Sequence, residues 1–510
     1  MTSLIENKKL IYIIPFFIGL ITSYSLPPYS FIFINFITFP ILLFYLISNY
    51  EKGKWISFKI GWMFGFGYFI SNLYWITNSL TFEEIFKPLI PITFIIIPLF
   101  LGIFYGIATL TCSLFNLKRN FSSILIFSLF FSLIEFIRSF IFGGFPWNLI
   151  AYSWADYLQF LQILSITGTY SFNLLSITFF LIPTIIFFNY KLNIKLLSLI
   201  FATIILIVNF FYGTLTIEKN KKVDEKNLDF IIKIISPKIG IDKFFQNENP
   251  EKIILDLVRL SEPNKIEKTI FIFPEGILAN LYLEDLKSYD YMFSENFSDQ
   301  HKIILGINSK KDESNIFNSM VVLDNNINIL TKYNKNKLVP FGEFLPFENL
   351  FTKLGLKKIT LGYQSFTPDN KRNLISVNNI NFIPLICYEI IYSGKINKNN
   401  QNFEFIINIS EDGWFGNSIG LYQHFSHSIF RAIEEGKNLV RSANNGISAF
   451  INPKGQIINK IKSTDRGVIE VKSFKESKKT IFSIYGNKIF FCFLLFYITL
   501  IFFLKKKEIK

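Results

Sequence analysis

The sequence predicts a two-part fold: a polytopic α-helical membrane domain of about eight spans, and a layered α/β or α+β domain. Three observations predict it. Apolar runs near the twenty residues a spanning helix needs crowd the first 215 positions and recur once near the end. Charged residues make up only 18% of the 510, while hydrophobic residues reach 50% with 62 Phe among the aromatics. Between about 225 and 475 the apolar runs shorten and alternate with polar stretches and turn signals, as in packed strands and helices.

Seven apolar segments precede the polar region, at about 9–25, 30–49, 56–78, 88–115, 121–141, 162–188 and 195–213; an eighth lies at about 487–504. The domains are therefore expected at 1–215, 225–475 and 487–504. Basic residues fall in every second loop: Lys8 and Lys9, then Lys52, Lys54 and Lys59, then Lys118 and Arg119, then Lys191 and Lys195, and finally Lys505, Lys506 and Lys507. The positive-inside rule then puts both termini in the cytoplasm and the polar region outside. The first run has the basic start of a secretory signal peptide but no small-residue cleavage pattern. The net charge of +14 gathers beside apolar segments, which points to a membrane surface, and no nucleic-acid motif is present.

Two ionisable residues, Glu135 and Arg138, lie within the fifth segment. Three apart, they share a helix face. Ions inside a bilayer are costly, so this pair either ties helices together or lines a functional cavity. Next comes Phe142-Gly143-Gly144-Phe145-Pro146-Trp147-Asn148, where Gly-Gly and Pro rule out a regular helix and the aromatics suit a membrane boundary. It reads as an outer loop or as a re-entrant rim where lipid enters.

In the polar region, strands are expected at Leu228–Ile235, Thr269–Phe273, Lys302–Ile307, Ser319–Leu323, Phe382–Cys387, Phe403–Ile409, Ile447–Ile451 and Gln456–Ile461. Asn249 as cap and Pro250 at the first helical position begin a helix running to about Leu260, and another spans about Gln423–Val440. About 250 residues suffice for a full core.

Three cysteines are present; Cys112 and Cys492 fall in expected spans, so Cys387 has no disulfide partner in its domain. A lone exported thiol is either reactive or an inert buried strand end. His301, His424 and His427 sit in no recognised Cys-protease motif, and no Cys/His cluster has zinc-ligand spacing, so neither a metal nor a cofactor is expected. Other groups able to activate a thiol stand at strand ends: Glu275 in Phe273-Pro274-Glu275-Gly276, and Lys335 in Tyr333-Asn334-Lys335-Asn336.

At these residues the chain resembles the nitrilase, or carbon–nitrogen hydrolase, superfamily, whose catalytic set is Glu, Lys and Cys in that order. It resembles most the membrane branch formed by the apolipoprotein N-acyltransferases. The resemblance covers nearly the whole chain. It is carried by Gly61-Trp62-Met63-Phe64-Gly65-Phe66-Gly67, Leu73-Tyr74-Trp75, Phe145-Pro146-Trp147 and Leu338-Val339-Pro340-Phe341-Gly342-Glu343-Phe344. It continues through Cys387-Tyr388-Glu389, Trp414-Phe415-Gly416, Gln423-His424-Phe425, Arg431-Ala432 and Arg441-Ser442-Ala443-Asn444-Asn445-Gly446.

The resemblance implies an αββα nitrilase-like sandwich for the exported domain. It implies Glu275 as general base, Lys335 as transition-state stabiliser and Cys387 as nucleophile, with Glu343, Tyr388 and Glu389 in support. It also implies a bacterial inner-membrane enzyme that moves a fatty acyl group from a phospholipid, through a Cys thioester, to a diacylglyceryl-modified apolipoprotein. Where the family usually shows Ser-Asn-Asp-Ala-Trp-Phe-Gly, this chain has Ser410-Glu411-Asp412-Gly413-Trp414-Phe415-Gly416. Glu411 is expected as a solvated loop residue. Two rival functions use the same domain: a membrane-anchored C–N hydrolase with a soluble substrate, and a non-enzymatic membrane scaffold or transporter.

Overall fold

The computed structural model describes residues 10–246, 248–312, 315–345, 365–397 and 400–509. The chain divides into two compact units, one comprising the residues up to Glu218 together with those from Thr480 on, the other Lys219–Lys479. Lys8 and Lys9, used above for orientation, lie outside the described residues.

The first unit is helical: α1 (Leu10–Thr22), α2 (Asn35–Asn49), α3 (Lys54–Leu73), α4 (Ile90–Ser113), α5 (Phe121–Arg138), α6 (Leu164–Leu181), α7 (Leu192–Lys221) and a last helix, Lys488–Ile509. A helix stands at each of the eight expected places. Among the described residues, six stretches are long and apolar enough to cross a membrane: Ile32–Asn49, Glu84–Ser113, Phe121–Arg138, Leu164–Phe187, Leu192–Lys221 and Lys488–Lys507. The two that fall short do so for different reasons. The first is only 13 residues long. The third has 20 residues, but Lys54, Lys59, Ser57, Ser71 and Asn72 dilute its apolar character. It also packs closely on α4, because small residues let backbones approach: a Cβ on Gly65 would lie 2.7 Å from the Cα of Gly102 on α4.

Glu135 and Arg138 tie helices together. The Glu135 carboxylate accepts from the Tyr105 hydroxyl on α4 at 2.8 Å and from Asn173 Nδ2 on α6 at 2.6 Å, while Arg138 Nη2 stands 3.7 Å away. Arg138 Nη1 donates to the Phe145 carbonyl at 2.7 Å, so the same cluster anchors the Gly-Gly-Phe-Pro-Trp segment. That segment is irregular, as expected, and Trp147 is buried against Trp75, with ring centroids 4.9 Å apart.

Among the described residues the second unit holds twelve strands in two six-stranded sheets. The first has the order β12-β1-β2-β3-β4-β5: β1 (Glu225–Ser236), β2 (Thr269–Ile272), β3 (His301–Lys310), β4 (Ile316–Leu323), β5 (Ile329–Asn334) and β12 (Gly467–Lys475). The second has the order β11-β10-β9-β8-β7-β6: β6 (Ile375–Val377), β7 (Ile380–Ile386), β8 (Phe405–Glu411), β9 (Asn438–Asn444), β10 (Ser448–Ile451) and β11 (Ile457–Ile461). In each sheet three central strands are parallel, β1-β2-β3 and β7-β8-β9, and the outer pairings are antiparallel. Strands covered on both faces read as continuous apolar runs, as Phe405-Ile406-Ile407 does.

Helices cover both outer faces. α8 (Pro250–Ser261) and α9 (Asp290–Asn296) pack Ile254, Leu257, Val258, Met292 and Phe293 onto Phe271, Ile303 and Leu305. α10 (Ile419–Glu435) covers the second sheet from β9 and β10. The sheets meet face to face: Ser442 Oγ on β9 donates to the Ile235 carbonyl on β1 at 2.7 Å. This is the αββα sandwich. The cap of α8 is the expected one, with Asn249 accepting from the Glu251 amide at 3.0 Å. The helix expected to reach Val440 instead stops at Glu435, because Gly436 takes φ +63 and Asn438 begins β9.

Candidate active site

The ends of central strands meet between the sheets. Glu275 follows β2 by three residues, beside Gly306 of β3. A Cβ on Gly306 would come within 2.6 Å of Glu275 Cα and 2.8 Å of Ile409 Cδ1 on the facing sheet. Glycine there is what lets the Glu275 backbone lie between the sheets.

Each oxygen of Glu275 is held. Oε1 accepts from Asn318 Nδ2 on β4 at 2.7 Å and from Lys335 Nζ at 3.1 Å; Oε2 accepts from the Glu411 amide at the end of β8 at 3.0 Å. Lys335, one residue beyond β5, also donates to Glu343 Oε1 at 2.8 Å. Asn318 bridges to that same oxygen at 2.8 Å, and the Val339 amide holds Glu343 Oε2 at 2.8 Å. The ammonium thus sits between two carboxylates in a site it shares with almost no solvent (1% exposed). Burial works against its charge, but Glu275, Glu343 and Cys387 together keep its pKa well above the usual lysine value.

Cys387 comes directly after β7 and opens a short 3-10 helix, Cys387–Ile391. Its φ of +47 is unusual for a residue with a side chain and marks a sharp strand-to-helix turn. The thiol is buried; that burial and the charge of Glu275 push its pKa well up, while Lys335 and a hydrogen bond with Ser410 pull down. A thiol so raised is protonated at rest, and it loses its proton when a base takes it as attack begins.

Glu389 holds the turn in shape. Its buried carboxylate accepts from the Ile386 amide at 2.9 Å, the Asn336 amide at 3.0 Å, the Lys337 amide at 3.3 Å, the Tyr333 hydroxyl at 2.7 Å and Arg372 Nη2 at 2.8 Å. One carboxylate thereby binds the residue before Cys387 to the two residues after Lys335. Tyr388 is buried edge-on to Tyr392, centroids 5.5 Å apart.

Several site residues went unidentified in the sequence. Asn318 bridges two carboxylates, yet a polar residue on a strand gives no signal of that. Asp412 accepts from Ser410 Oγ at 2.6 Å and Arg441 Nη2 at 2.7 Å, and lies 3.0 Å from His424 Nδ1. Burial opposes its charge, but Arg441 and His424 outweigh that and hold it well below the usual carboxylate range. His424 Nδ1 also stands 3.1 Å from Arg441 Nη2, and burial lowers its pKa. Its place in Gln423-His424-Phe425 was visible; its target was not. Glu411 corrects an expectation. Instead of a solvated loop position it is 1% exposed, paired with the equally buried Lys243. The fold brings a distant lysine to it, which no local sequence reading reveals.

Among the described residues no group of three or more His, Cys, Asp or Glu is arranged to hold a metal ion. What the site can do is acid–base-assisted attack by a thiol, with a fixed cation beside the reacting group.

The profile described as "Apolipoprotein N-acyltransferase N-terminal domain" matches residues 18–182, and that described as "Carbon-nitrogen hydrolase" matches 297–472. A Brucella melitensis protein named apolipoprotein N-acyltransferase is 28% identical over 89% of this chain and 88% of its own. The chain is also similar in part to an amidase variant of the nitrilase superfamily from Nesterenkonia AN1, at 13% identity over 50% of this chain and 94% of that one, with TM-score 0.36. A CN-hydrolase superfamily protein from Xanthomonas campestris is 14% identical over 49% of this chain and 91% of that one, with TM-score 0.35. The assignment rests on the sequence relatives. A Rickettsia prowazekii protein named apolipoprotein N-acyltransferase is 33% identical over 93% of this chain and 94% of its own, so the chain belongs to the apolipoprotein N-acyltransferase family.

Proposed function

We propose that this protein transfers a fatty acyl group from a phospholipid, through a thioester on Cys387, to the α-amino group of the N-terminal diacylglyceryl-cysteine of lipoproteins. The observation that carries the reading is one buried cluster of Glu275, Lys335 and Cys387 in a chain with six helices, among the described residues, long and apolar enough to cross a membrane. Both substrates of such a reaction are held in lipid, which gives the helices a purpose that a hydrolase of soluble amides lacks.

In the first half-reaction Glu275 takes the proton of the Cys387 thiol. The sulfur attacks the ester carbonyl, and Lys335 with a backbone N–H near Tyr388 stabilises the oxyanion. The C–O bond breaks, and the lysophospholipid leaves with the proton from Glu275. In the second, the amine attacks the thioester, Glu275 takes its proton, C–N forms, C–S breaks, and the proton returns to sulfur. Glu343 and Glu389 hold Lys335 and the Cys387 turn. The catalytic unit faces the extracytoplasmic side of a bacterial inner membrane and both termini face the cytoplasm, as the alternation of loop charges supports.

The test is intact mass spectrometry after incubation with phospholipid. A hydroxylamine-labile acyl adduct on Cys387, discharged by a diacylated lipopeptide and absent from Cys387→Ala, is expected. Folded wild-type protein that forms no adduct with lipid present would overturn the reading in favour of a hydrolase.

A further inference from the structure

The Lys243–Glu411 pair has no part in the acyl-transfer steps, yet it touches the base. Lys243 lies in the turn Ile241–Phe244 after β1; Glu411 ends β8 on the opposite sheet. Both side chains are buried to within 1%. Glu411 is fully engaged: beyond Lys243 it accepts from Asn444 Nδ2 at 2.7 Å, Asn445 Nδ2 at 3.4 Å and the Gly413 amide at 3.0 Å. The Lys243 ammonium also stands 4.9 Å from the centre of the Phe244 ring. The backbone is tied on both sides. The Lys243 carbonyl accepts from Asn280 Nδ2, in the loop that follows Glu275, at 3.2 Å, and the Glu411 amide donates to Glu275 Oε2 at 3.0 Å.

Burying two charges is expensive, and a buried ion pair seldom gains stability over an apolar pair of the same size. A pair in this position therefore calls for another role. We propose that Lys243 and Glu411 are positioning residues for Glu275: their pairing fixes the end of β8 so that the Glu411 amide stays on Oε2, and their mutual neutrality keeps stray charge from the base. Burial raises the Glu411 carboxyl, and Lys243 with its amide donors opposes that rise.

The proposal rests on Glu275 serving as the base for Cys387. The other groups facing Glu275 are Lys335, Glu343, Asn318 and Cys387, and Asp412 reaches Cys387. None of them is altered by the variants Lys243→Met, Glu411→Gln and the double change. The measurement is the rate of iodoacetamide alkylation of Cys387 in the full-length protein, resolved by peptide mass from Cys492, from about pH 5 to 9. Glu411→Gln leaves a surplus positive charge, so the acid limb moves to lower pH; in Lys243→Met the donors Asn444, Asn445 and the Gly413 amide still favour the Glu411 carboxylate, and wherever it stays ionised its surplus negative charge moves the limb to higher pH. Each shift is expected to be about half a unit or more. The double variant returns toward wild type.

Loss of folding alone would not move the two limbs in opposite directions. Shifts of one sign, or none, would overturn the proposal if Glu275→Gln still abolishes the limb. A limb that survives in Glu275→Gln would instead overturn the base assignment, and the proposal with it.

Discussion

Glu389→Gln separates a carboxylate that merely packs from one that shapes the nucleophile's turn. In the wild type, Oε1 accepts from the Asn336 and Lys337 amides, Arg372 and Tyr333, and Oε2 from the Ile386 amide and Tyr333. An amide keeps one acceptor oxygen. Its NH₂ must then face either the Ile386 N–H, at 2.9 Å in the wild type, or the Arg372 guanidinium at 2.8 Å, donor against donor. The change also strips the negative partner from a guanidinium that is only 14% exposed. Breaking a buried pair from one side costs roughly 3–5 kcal/mol, a large share of the stability of a domain. Pulse proteolysis of the full-length protein should show the open form of the catalytic unit rising by about two to four orders of magnitude. Because the Ile386 amide is the last fixed point before the strained φ of Cys387, acyl-enzyme formation should fall about 100-fold in the molecules that remain folded. Wild-type protease resistance together with wild-type acylation would refute the argument.

Three further outcomes are expected. Lys335→Met leaves Glu275 and Glu343 sharing Asn318 with no cation between them; single-turnover acylation should fall by about 10²–10³, and Lys335→Arg should not restore it, since a planar guanidinium does not reproduce the single Nζ that donates to both carboxylates. Asp412, held low by Arg441 and His424, contributes stability that is complete above its unfolded value of about 3.9 and is lost as pH falls toward its lower folded value. Asp412→Asn should therefore lower the denaturation midpoint at neutral pH and flatten its decline in acid. Gly306→Ala drives a methyl into Glu275 Cα at 2.6 Å and Ile409 Cδ1 at 2.8 Å; a loss of about 1–3 kcal/mol and slowed Cys387 alkylation are expected, and an unaltered alkylation rate would show that the backbone yields elsewhere.

What the sequence determined by itself were the properties carried by runs and motifs. Length and apolarity placed a helix in each of eight segments, because a bilayer demands both locally. Central strands such as β2, β7 and β8 were legible because strands covered on both faces need unbroken apolar runs. Edge strands β5 and β12 were not: half-exposed stretches such as Ile329–Asn334 mix polar and apolar residues without a distinctive period. Glu275, Lys335 and Cys387 could be proposed from their places at strand ends and from resemblance. Tertiary structure alone decided which groups surround them. Asn318, Lys243, Arg372 and His424 come from separate elements, and their targets depend on how two sheets stack and where each strand ends. Glu411 shows why most directly. Its charge reads as solvated beside a Gly-Trp turn, yet Lys243, 168 positions earlier, meets it inside the sandwich. Burial and pairing belong to the folded arrangement, and no local pattern encodes either.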